Sequence, residues 1–157
     1  RKSQINKSNN FFYIDDLKNI NNVDLENKNI LLAIGSRFLN DTASYYKSCN
    51  ANVFARVLPN YESITKAFGS CIKNSNIAIL EPSKSEQATL EKKLCDFWEI
   101  DYVLCRESGS YSQKNWENII YGSKMKLFLV KRPEQKNGYS YSFNKYENLI
   151  DHIYRKY

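Results

Sequence analysis

Three short runs in this sequence are apolar at nearly every position: Ile30-Leu31-Leu32-Ala33-Ile34, Ile77-Ala78-Ile79-Leu80 and Tyr102-Val103-Leu104-Cys105. A strand with one wet face alternates apolar and polar residues, because successive side chains point to opposite sides. These runs do not alternate, so they are expected to sit centrally in a parallel sheet with helices over both faces. Amphipathic segments of helix length lie between them, which is the pattern of successive strand-helix units. The chain is therefore read as one α/β domain with a mainly parallel sheet.

Expected strands run from Phe11 to Ile14, Asn29 to Ile34, Asn52 to Arg56, Asn76 to Leu80, Asp101 to Cys105, Lys126 to Val130 and Ser140 to Phe143. Expected helices begin with Asp15 to Ile20, whose carboxylates suit a helix N-terminus, and Ser36 to Ser48. Tyr61 to Phe68 follows Pro59 and stops at Gly69, and Ser85 to Trp98 carries Leu90, Leu94, Phe97 and Trp98 at core-facing spacings. Trp116, Ile119 and Ile120 mark the next apolar stripe, and a last helix starts at Asn144. Both tryptophans read as core anchors.

A length of 157 residues suits one domain, with a hydrophobic fraction of 42% supplying its core. Arg1 to Asn10 is polar, has no apolar periodicity and no initiating Met, and is expected to be a disordered leader in a chain cut from a longer parent. The domain proper is then 11–157. No apolar stretch approaches the roughly 20 residues that span a bilayer, so a cytoplasmic protein with no membrane partner is expected. Cys49, Cys71, Cys95 and Cys105 form no C-x-x-C pair, and the single histidine, His152, is distant from all of them, which argues against a metal site and a Cys-His pair. Reduced, mostly buried thiols are expected. The net charge of +6 suits an anionic partner, but the lysines are dispersed and form no basic stripe, which disfavours nucleic acid.

Ligands of open parallel sheets bind beyond the carboxyl ends of the strands, so the residues following each strand are the candidates. Gly35-Ser36-Arg37 offers a permissive turn, a hydroxyl and a cation; Glu81-Pro82-Ser83 follows a later strand; and Arg106-Glu107-Ser108-Gly109 puts a cation, a carboxylate and a hydroxyl beside another glycine. Arg56 and Arg132 close two further strands with donor forks suited to carboxylate or phosphate. No Walker loop, G-x-S-x-G elbow, G-x-G-x-x-G fingerprint or paired-carboxylate motif is present.

In order and spacing, the segment Asn29 to Arg37, Arg56-Val57-Leu58-Pro59, Glu81-Pro82-Ser83, Arg106-Glu107-Ser108-Gly109 and Arg132-Pro133 resemble the C-terminal half of precorrin-6A and cobalt-precorrin-6A reductases. The resemblance runs from about Phe11 to Pro133. Where that family usually has Gly-Pro-Phe this chain has Glu81-Pro82-Ser83, and the threonine and lysine that flank the family's glycine-serine turn are Ile34 and Arg37. The resemblance implies a Rossmann-like C-terminal domain of a two-domain enzyme of cobalamin biosynthesis. Such an enzyme reduces precorrin-6A or cobalt-precorrin-6A with hydride from NADPH or NADH and needs its N-terminal domain, so this chain alone is expected to lack full activity. In those terms Ser36, Arg37 and Ser108 would hydrogen-bond the ligand, Arg56, Arg106 and Arg132 would meet its carboxylates, and Gly35 and Gly109 would let backbone approach, with Pro82, Ser83 and Glu107 lining the cleft. No catalytic residue is assigned, Glu107 and Ser108 having equal claims as proton donor. The alternative is a non-catalytic module that binds a tetrapyrrole or a nucleotide.

Overall fold

A computed structural model describes residues 10–20, 23–84, 88–132 and 150. Among the described residues six strands form one sheet: β1 (Phe11–Ile14), β2 (Asn29–Ala33), β3 (Asn52–Val57), β4 (Ile77–Ile79), β5 (Tyr102–Arg106) and β6 (Lys126–Val130). Every pairing is parallel, in the order β1-β6-β5-β2-β3-β4. Counted from β2, this is the doubly wound 3-2-1-4-5 arrangement, with the chain's first strand in the sixth place. The domain is α/β and Rossmann-like.

The helices described over their full length are α1 (Leu39–Ser48), α2 (Tyr61–Phe68), α3 (Thr89–Phe97) and α4 (Tyr111–Ile120). The period of two along β2 divides the core between them. Ile30 and Leu32 face one side, with Leu39, Ala43 and Tyr46 of α1 and Ala67 of α2; Leu31 faces the other, with Cys95 of α3 and Trp116, Ile119 and Ile120 of α4. Trp116 is fully buried, whereas Trp98 is half-buried and packs its ring 5.0 Å from that of Phe54. Among the described residues no helix is long and apolar enough to cross a membrane.

Several expectations need correction. Asp15 to Ile20 is a turn, because the Asp16 carboxylate accepts the Lys18 N–H at 2.8 Å and so competes with the helical pattern. This connection is nevertheless tied down: Ile20 is buried, and the hydroxyls of Tyr46 and Tyr102 donate to the carbonyls of Leu17 (2.6 Å) and Asp24 (3.1 Å). The apolar run at Ile77 lies in β4 at the edge of the sheet, not centrally, and Ile79 is exposed there. Ser36–Phe38 forms a 3-10 turn ahead of α1.

The orientation of α3 also differs from expectation. Its buried residues are Glu91 and Cys95, while Leu90 and Phe97 are 59% and 81% exposed. Ala88, in a left-handed conformation at φ 42°, sets the start at Thr89. The helix is turned by about one residue, or 100°. Burying Glu91 brings its carboxylate toward a buried arginine, an arrangement that apolar spacing does not encode.

Of the polar leader, Asn10 is held in place: its side chain donates to the Ser123 carbonyl at 2.9 Å, and its carbonyl accepts the Leu127 N–H at 2.8 Å. The strand expected at Ser140 to Phe143, the helix from Asn144, and His152 lie outside the described residues.

All four cysteines are free; Cys95 and Cys105 are buried, Cys49 is half-buried and Cys71 is exposed. Burial pushes the thiols of Cys95 and Cys105 up to about 12. Alkylation of the native protein at pH 8 should modify Cys71 first and leave Cys95 and Cys105 untouched until denaturant is added, as read by peptide mass mapping.

Candidate functional site

The chain leaves β2 through α1 toward β3 on one side, and leaves β5 through α4 toward β6 on the other. The two neighbouring strands thus part company at their carboxyl ends, and such a switch point opens a crevice. Its walls are the turn after β2 and the loop after β5.

Gly35 makes the first wall possible. Its φ of 88° with ψ of 151° belongs to a region that only glycine occupies without strain, although space for a Cβ is available. Ser36, Arg37 and Phe38 follow in the 3-10 turn. The Ser63 hydroxyl of α2 donates to the Ser36 Oγ at 3.4 Å, and Arg37 points to solvent. The Phe38 ring lies beneath the Arg106 guanidinium, whose carbon is 4.9 Å from the ring centroid, so a side chain from each wall meets across the crevice.

The second wall is braced by groups expected to face a ligand and by one that was not. Arg132, just beyond β6, donates from Nε to the Glu107 carbonyl at 3.0 Å and from Nη2 to the Ser108 carbonyl. From the other side Gln113 Oε1 accepts both the Ser108 N–H (2.7 Å) and the Gly109 N–H (2.8 Å), while its Nε2 donates to Glu117 at 2.7 Å. The Ser108 and Ser110 hydroxyls share a hydrogen bond of 2.6 Å. Gly109, at φ 65°, has its N–H engaged within the fold.

Arg56 is placed differently from the other arginines. It lies on the α3 side of the sheet at 7% exposure, and neither Nε nor Nη2 finds a hydrogen-bond partner among the described residues. Burial lowers its pKa from the ordinary value, an effect opposed first by the charge of Glu91. Glu91, 1% exposed, accepts the Ser83 N–H at 2.7 Å. Asn115 of α4 donates to the Ser83 carbonyl at 2.7 Å. The loop carrying Pro82 and Ser83 is thus pinned from below.

The structure therefore brings Gly35, Ser36 and Arg37 together with Arg106, Glu107, Ser108, Gly109 and Arg132, and sets Arg56, Pro82 and Ser83 in a neighbouring cluster around Glu91. Sequence reasoning missed Phe38, Glu91, Gln113 and Asn115. Gln113 precedes Trp116 by three residues and Glu91 precedes Cys95 by four, so both stand on buried stripes where an apolar residue is the rule. A polar residue in such a place is a readable signal of an internal network.

Removing Glu91 would take away the acceptor of the Ser83 N–H and the first of the charges that oppose the burial of Arg56. Glu91→Leu should lower unfolding free energy by about 1–3 kcal/mol, whereas the double variant Arg56→Met, Glu91→Leu should recover part of that loss, as measured by chemical denaturation of the four proteins.

The family model described as precorrin-6x reductase CbiJ/CobK matches residues 1–154. A cobalt-precorrin-6A reductase of Synechocystis sp. is 31% identical over 86 residues, which are 55% of this chain and 31% of that protein. A solved structure of the CobK precorrin-6A reductase has the same fold, with a TM-score of 0.59 at 15% identity over 80% of this chain and 48% of that one. The chain thus spans about a third of the first of these relatives and about half of the second. With a family match across nearly its whole length, the chain belongs to the precorrin-6x reductase family.

Proposed function

We propose that this chain is the C-terminal half of a two-domain precorrin-6A or cobalt-precorrin-6A reductase of the cytoplasm, acting in cobalamin biosynthesis with NADPH or NADH. The observation that carries the reading is the switch-point crevice, rimmed by Arg37, Arg106 and Arg132 and by the hydroxyls of Ser36 and Ser108, in a chain of this family. A cationic rim suits a macrocycle bearing several carboxylates.

The turn after β2 lacks the dinucleotide fingerprint. That fingerprint has glycines at three spaced positions and a helix N-terminus directly behind them. Here Arg37 and Asn40 stand at the second and third of those positions, and a 3-10 turn comes before the helix. In this reading the cofactor is held by the other half, with the macrocycle between the two. The nicotinamide supplies hydride when bound. This half contributes orientation: Arg37 and Arg106 hold carboxylates, Ser36 and Ser108 hydrogen-bond the ligand, and Gln113 and Arg132 keep the second wall from moving.

The test is consumption of NADPH, with NADH in parallel, by the full-length protein and by this chain at equal concentration with precorrin-6A and its cobalt form as substrates. Turnover by the full-length protein alone is expected. Binding of the macrocycle without turnover by either would replace the reductase with a binding module. Affinity for the macrocycle should also fall as salt rises from about 0.05 to 0.5 M, because the rim cations are open to water.

A further inference from the structure

Phe38 has no ordinary reason to be where it is. It occupies the N-cap of α1, a position favouring Ser, Thr, Asp or Asn, and makes no side-chain cap bond there. At 36% exposure it is not a core residue either. What its ring does is carry the Arg106 guanidinium, 4.9 Å above its centroid.

The two neighbouring arginines are engaged inside the fold, Arg132 by carbonyls of the second wall and Arg56 by burial opposite Glu91. Arg106 is half-buried at the carboxyl end of β5, and among the described residues its guanidinium makes no hydrogen bond or ion pair, only the contact with the Phe38 ring. A contact with the ring engages no N–H donor of the guanidinium in a hydrogen bond to another protein group, so the donors stay available to an anion. An unrestrained arginine would lose side-chain entropy on meeting that anion, and one already held over a ring loses less.

We propose that Phe38 is a positioning residue, holding Arg106 over its ring so that the guanidinium receives one carboxylate of the ligand through two parallel hydrogen bonds. The proposal rests on the reading of the crevice as the macrocycle site. Phe38 acts through Arg106 and does not itself touch the ligand.

The experiment measures binding of precorrin-6A to the full-length protein by tryptophan fluorescence in the absence of nicotinamide, with turnover recorded separately. Phe38→Leu should weaken binding about three- to fivefold, the share of an exposed cation–π contact, and Phe38→Tyr should restore it to within about twofold. Arg106→Leu should weaken it about tenfold or more. The double variant should bind no worse than Arg106→Leu alone, since Phe38 has nothing left to hold. Losses that add would mean that the ring contacts the macrocycle directly, and would overturn the proposal. So would unchanged binding in Phe38→Leu, failure of tyrosine to rescue it, or a change confined to the Michaelis constant for NADPH, which would make the anion a phosphate. Should Phe38→Leu fold poorly, Phe38→Met runs the same cycle. If the wild type binds the macrocycle with this pattern but does not reduce it, the reductase reading fails while the role of Phe38 stands; if the wild type does not bind it, both fail.

Discussion

The structure hangs on β2, which is hydrogen-bonded to β3 on one side and β5 on the other. A strand flanked on both edges and covered on both faces has no route for its backbone polar groups except the ladder, so its register is tightly specified. Ile30, Leu31 and Leu32 are wholly buried, each worth about 1.5–3 kcal/mol relative to exposure. Their alternation assigns α1 and α2 to one layer and α3 and α4 to the other. The crevice follows from the same strand, because β2 is where the chain changes its direction of travel across the sheet.

Much of this could be read before the structure. The unbroken apolar runs predicted covered strands, and the bounds of β1, β6 and α2 agree with expectation at both ends. An apolar run reports how much water it avoids rather than its place in the order, so Ile77–Ile79 was expected at the centre and lies at the edge, with α2 over part of it. The rotation of α3 was illegible for a different reason. Leu90, Leu94, Phe97 and Trp98 make one good stripe and Glu91, Cys95 and Trp98 another, and the second is the one that turns a carboxylate toward the Arg56 cation on the same side of the sheet.

The polar residues around the crevice show a similar division. The loops were legible because they follow strands in an α/β pattern, and the two richest of them do meet. What each side chain does there was not, since a hydrogen bond to a backbone group depends on distances between remote segments. Arg132, read as a ligand group from its charge, gives its donors to two carbonyls of the loop. Gln113 and Asn115 hold separate loops from one helix, so α4 fixes the second wall and the Ser83 loop with respect to each other. A rigid rim of this kind keeps donors in place before a ligand arrives.

The position of β1 has a bearing on how the domain is made. Its partner is β6, and the hydrogen bond from Asn10 to Ser123 closes a separation of 113 residues. On a ribosome adding roughly 5–20 residues per second, the β1 segment would wait on the order of ten seconds for β6, its neighbour among the described residues, to emerge. Throughout that interval Phe11 and Phe12 belong to a sticky, unpaired segment, while the units from β2 to β4 can already assemble. Emergence of β6 therefore ends the period in which the β1 segment is open to capture by a neighbouring polypeptide.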